Sequence, residues 1–224
     1  MNESTSLGGA RTQEENRMQY QGSPQMSAEI GREASRRRIA GEAEEFLTRL
    51  GVNGRNAGPS MLANVYLSGA LGDRFVEFSR IVLPTVWRRA EWPTRAIRPT
   101  RIWVEWFRSC GFVTDDADLL AAPTGPLTIY RGATWACRRG MSWTTDHEVA
   151  TWFAERFGRH AGIARFESAY IFTATVEPQC VLAMFQRSEH EVVVDPRLLP
   201  SLKKHGAEEI IPSAKRAPEH EARR

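Results

Sequence analysis

Apolar residues return every three or four positions along the first half of the chain; in the second half they gather in short β-branched and aromatic runs. The spacing of Ile39, Ala43, Phe46, Leu47 and Leu50 in "SRRRIAGEAEEFLTRLG" predicts a helix, with Gly51 placed to end it. Further helices are predicted in "SMLANVYLSGAL", "DRFVEFSRIVL" and "PTRIWVEWFRSCG". In the last of these, Ile102, Trp103, Trp106, Phe107 and Cys110 form one apolar stripe before the stop signal Gly111. Tryptophans at that spacing are read as a buried helix face rather than a ligand box, since each indole buries a large area. The turn-rich "AAPTGP" then changes the pattern. After it "LTIYRGA", "SAYIFTATV", "CVLAMF" and "EHEVVVD" read as strands, interrupted by one helix, "DHEVATWFAERFG". That helix carries Val149, Ala150, Phe153, Ala154 and Phe157 on one stripe, with Gly158 at its end. Thr145 and Glu148 form a capping-box signature at its start.

These segments divide the chain. Residues 1–35, poor in large apolar side chains, are expected to be disordered. A helical domain over 36–122 precedes an α+β domain over 123–212, and residues 213–224 form a polar charged tail.

Composition narrows the class. The 224 residues, 42% hydrophobic and 25% charged, suit one soluble domain, or a small domain with a helical extension. The formal charge is only +3, and no basic recognition helix stands out, which speaks against a nucleic-acid partner. Of the 30 basic residues only Lys203, Lys204 and Lys215 are lysine, an excess of arginine most simply explained by codon preference. Cys110, Cys137 and Cys180 show no paired spacing, which predicts a reducing compartment. The opening "MNESTSLGGARTQEENRMQYQG" lacks the apolar core of a signal peptide, and no apolar run approaches the roughly 20 residues of a membrane span. The expectation is a cytoplasmic protein with no membrane partner. The five histidines are scattered, and His147 has no second histidine four residues on, so no metal is expected.

Three elements carry candidate chemistry, in a fixed order. Arg131 in "TIYRGA" ends a strand ahead of a glycine. Ser142, Thr144 and Thr145 cluster in "GMSWTTD" directly before the helix, Thr145 being accounted for by capping. Glu189 and Glu191 open the strand in "QRSEHEVVVDP". Strand alternation places Glu189, Glu191 and Val193 on one face and His190, Val192 and Val194 on the other, core face. Two carboxylates this close repel, and neither is buried cheaply without a partner.

In this order the three elements resemble the mono-ADP-ribosyltransferases of the arginine–serine–glutamate, cholera-toxin-like class. That family carries a strand-borne Arg, then a Ser-x-Ser/Thr strand followed by a helix, then a strand with Glu-x-Glu. Arg131, Ser142 with Thr144, and Glu189 with Glu191 match those motifs over roughly residues 123–212, the middle one reading Ser-Trp-Thr instead of Ser-Thr-Ser. The resemblance implies an α+β fold with a split, mixed β transferase domain behind the helical one. It implies NAD as substrate and no metal. Glu191 would stabilise the oxocarbenium-like ribose formed when the nicotinamide bond breaks, and Glu189 would orient or deprotonate an arginine acceptor on an unidentified protein. Arg131, Ser142 and Thr144 would bind NAD, with the planar fork of Arg131 on its diphosphate or ribose. Arg159, Arg165 and Phe166 are secondary candidates for contact with NAD. Phe185, Gln186 and Arg187 stand where the family has its acceptor-recognition loop. An NAD glycohydrolase, or an inactive transferase fold whose helical half docks a partner, are the alternatives.

Overall fold

A computed structural model describes residues 24–115, 121–159, 169–186 and 189–204. The first helix, α1 (Pro24–Asn53), begins inside the stretch expected to be disordered. Its N-terminal turns are exposed and laced by i,i+4 pairs, Glu33–Arg37 and Arg38–Glu42, each at 3.0 Å. Helix propagation from the buried stripe Ile39, Ala43, Phe46 and Leu50 extends into them. Gly51 lies within the helix, and the chain turns instead at Gly54, where φ is 87°.

Four helices follow: α2 (Gly58–Ser68), α3 (Phe75–Arg89), the single turn α4 (Pro93–Ala96) and α5 (Arg101–Cys110). The expected stripe of α5 is realised, with Trp103, Trp106, Phe107 and Cys110 buried. Strand β1 (Val113–Thr114) then leaves the helical half. The remaining elements are β2 (Leu127–Thr134), β3 (Ser142–Thr144), α6 (His147–Arg159), β4 (Ala169–Val176), β5 (Val181–Phe185), β6 (Glu191–Val194) and β7 (Lys203–Lys204). The chain is thus α+β. Helix α6 is not capped by Thr145: Asp146 Oδ1 accepts from the backbone N–H of Glu148 at 2.8 Å and of Val149 at 3.4 Å.

Among the described residues the strands form one mixed seven-stranded sheet in the order β1-β5-β6-β3-β2-β4-β7. All neighbours are antiparallel except β1 and β5. The two faces bury different cores. Val113, Leu182, Ala183, Phe185 and Val193 join the helical residues from Ile39 to Cys110 in one cluster, so the helices and the sheet share a core across the expected boundary near residue 123. Ile129, Trp143, Phe172, Ala174, Val192 and Val194 pack on the other face beneath Leu199. Strand β6 is therefore apolar on both faces, which accounts for the unbroken run Val192–Val194.

Helix α6 lies close against β2. A Cβ on Gly132 would come within 2.0 Å of the Ala150 carbonyl oxygen and 2.4 Å of the Ala154 nitrogen, so only glycine lets helix and strand meet. Helix α3 walls the sheet above β6, and α6 walls it above β2. The gap between them lies over β6 and β3. Among the described residues no helix is long and apolar enough to cross a membrane.

Candidate active site

The gap is a cleft of about 200 Å³. Its floor is laid by Tyr130 and Gly132 of β2, Ser142 and Thr144 of β3, and Glu191 of β6. Trp87 and Arg88 at the end of α3 form one wall, and Ala150, Phe153 and Arg156 of α6 the other. The turn 90–94 and Arg55 close the mouth. All five candidate residues, Arg131, Ser142, Thr144, Glu189 and Glu191, line this one cleft.

Antiparallel pairing sets Ser142 opposite Val193 and Thr144 opposite Glu191, so the hydroxyls and the carboxylate leave the sheet on one face. Ser142 Oγ donates to Glu191 Oε1 at 2.7 Å. The indole Nε1–H of Trp87 donates to the same oxygen at 2.9 Å. Burial pushes the Glu191 pKa up, opposed by the hydrogen bonds from Ser142 and Trp87 and by the charge of Arg88, and assisted by the charge of Glu189. Among the described residues no hydrogen bond is made to Oε2, which leaves that oxygen for a ligand.

The route to Glu189 differs from the alternation expected. His190 adopts φ 46°, a left-handed conformation, and is exposed, so the strand begins only at Glu191. Glu189 reaches the cleft from a turn, and His190 is not on the core face. Thr144 fixes that turn: its Oγ1 donates to the Glu189 carbonyl at 2.8 Å and accepts from the Asp146 N–H at 3.0 Å. The Thr144 hydroxyl is taken up in this bracing, and the residue is buried.

Arg131 has a bracing role of the same kind. Its Nε donates to the Cys137 carbonyl at 3.1 Å and its Nη1 to the Ser142 carbonyl. A Cβ on Gly140 would lie 2.4 Å from Nη2, so the guanidinium sits flat against a glycine. The arginine thereby ties the 135–141 turn to the strand that presents Ser142. Burial lowers its pKa, opposed by the nearby Glu191 carboxylate.

Sequence reasoning missed the walls. Glu91 at the mouth pairs with Arg55 at 2.6 Å and with Arg156 at 3.0 Å, bridging the helical half to α6. Arg88 pairs with Asp115 at 3.5 Å. No local signal singles these residues out, because each looks like an ordinary surface charge or stripe position. Arg165, Phe166 and Arg187, and the side chain of Arg159, lie outside the described residues. Phe185 is core, 2% exposed, and Gln186 donates its backbone N–H to Asp115. Among the described residues no group of three or more His, Cys, Asp or Glu is placed to hold a metal ion. No protein-family model, curated protein or solved structure matches the chain.

Proposed function

We propose that the protein is an NAD-dependent mono-ADP-ribosyltransferase that modifies a protein, on an arginine side chain. The observation that carries this reading is Glu191: one carboxylate oxygen held by donors from two different elements, the other left to the cleft. Breaking the bond between nicotinamide and ribose develops positive charge on the ribose ring. A fixed carboxylate accepting from the 2′-hydroxyl stabilises that charge in the transition state more than in the ground state. The bonding pair leaves with the nicotinamide nitrogen, which becomes neutral. Glu189, on its braced turn at the same cleft, takes the acceptor side: it orients a guanidinium and receives the proton lost as the new C–N bond forms.

The cleft, about 200 Å³, is smaller than the ~300–1,000 Å³ of sites that enclose a whole drug-sized ligand. It suits the nicotinamide riboside end of the dinucleotide, with the phosphates toward a mouth lined by Arg55, Arg89 and Arg156. A glycohydrolase differs only in using water as acceptor. Incubation with NAD labelled in its adenylate half, with and without cell lysate, tests the reading. Label on protein together with released nicotinamide supports transfer, nicotinamide with free ADP-ribose supports hydrolysis, and neither overturns both.

A further inference from the structure

We propose that Trp87, contributed by the helical half, is a positioning residue for Glu191: its indole N–H fixes Oε1 so that Oε2 faces the ligand. The inference rests on the proposed function and extends it to a part of the chain outside the three matched motifs.

A carboxylate held by one hydroxyl is poorly fixed, because a serine hydroxyl rotates and can either donate or accept. An indole N–H only donates, and it points where its ring points. The ring of Trp87 cannot turn. It is 2% exposed and stands edge-on against Trp103 at 5.1 Å and Phe107 at 5.2 Å between centroids. Its donor therefore has a fixed direction, set by α3, while Ser142 approaches the same oxygen from β3. Two donors on one oxygen stop the carboxylate from swinging and bar Oε1 from carrying a proton. The other charges facing Glu191 are Arg88 on α3, Arg131 on β2 and Glu189 on its own segment. The helical half is thus part of the catalytic apparatus, not a separate docking module.

A paired substitution in the full chain tests this. Trp87→Phe removes the N–H and keeps a ring in the cluster. Trp106→Phe is its control: Trp106 lies in the same aromatic cluster with its ring against Tyr66, Phe75 and Trp103 instead of Trp87, and its indole N–H makes no hydrogen bond among the described residues, so the same deletion there loses no bond. Trp87→Phe is expected to lower kcat for nicotinamide release by ~10–100-fold, the range for a hydrogen bond to a charged group, with KM within about twofold. The acid limb of its kcat–pH profile should move to higher pH. The carboxyl carbon of Glu191, followed by NMR, should titrate at higher pH in step, while Trp106→Phe leaves all three readouts unchanged. Should phenylalanine loosen the cluster, benzothienylalanine at position 87 deletes the donor while keeping the shape, sulfur replacing the N–H. Equal behaviour of the two variants, or a Glu191 titration that ignores the loss of the donor, overturns the positioning role. If the parent protein releases no nicotinamide, the NAD reading and the reaction role of Trp87 fall together. The Glu191 titration then stands alone as the test of the contact.

Discussion

At the scale of single residues the proposed function gives the two carboxylates of the cleft different work. Burial raises the Glu191 pKa, so below that raised value the group is protonated and cannot stabilise a cationic ribose. Nicotinamide release should therefore fall on the acid side at a pH above the ordinary glutamate value of about 4.3. A rate that stays flat down to pH 4.5 would contradict the ionised form as the active one. The stability linkage has the same origin: the folded state holds this proton more tightly than the unfolded chain. This group's contribution therefore falls as pH rises from the unfolded pKa through the folded one. The proposed function gives Glu189 the acceptor side, so Glu189→Gln should depress label transfer to protein far more than release of nicotinamide to water. Measured in parallel on one preparation, equal loss of both would move Glu189 into the NAD site and withdraw the arginine-acceptor assignment.

Among elements, strand β6 matters most, because the helical half holds it at both ends. Trp87 bonds Glu191 at its start, and Arg108 of α5 bonds Asp195 just past its end at 3.0 Å. Asp195, 1% exposed, is also held by Arg197 at 2.8 Å. Hydrogen bonding from Arg197, opposed by burial and aided by Arg108, depresses its pKa to about 2. A depressed carboxyl contributes stability that is present above its unfolded pKa of about 3.9 and is lost as pH falls through the folded value. Wild-type protein should thus lose stability between about pH 4 and pH 2 more steeply than Asp195→Asn, compared by denaturant melts across that window. Helix α6 depends on a different contact. Gly132→Ala places a methyl against the helix backbone, where nothing flexible can yield, and is expected to cost ~1–3 kcal/mol in chemical denaturation and to widen the cleft. An unchanged midpoint would mean that α6 does not sit where the close approach puts it.

For the molecule as a whole, legibility follows range. The stripes of α1 and α5 and the long strands β2, β4 and β5 were readable, because burial imposes a local period on them. The α+β class followed from their order. The two-residue strands β1 and β7 exist only through distant pairing, and nothing in "VT" or "KK" announces it. The left-handed His190 broke the alternation argument for Glu189, yet both glutamates reach the cleft. The walls were illegible for the same reason: Trp87 lies 104 residues from the glutamate it bonds, and in the sequence it is one more apolar stripe position of α3. The motifs thus gave the floor of the site, and the packing of the helical half gave its sides. The most direct test of that assembled cleft is nicotinamide release from NAD by the purified full chain beside Glu191→Gln. The parent should release nicotinamide, and the glutamine variant, folded with the same thermal midpoint to within a few degrees, should be ~10²–10³-fold slower. Equal rates, or no release by either protein, would contradict the assignment of Glu191 as the carboxylate that breaks the bond.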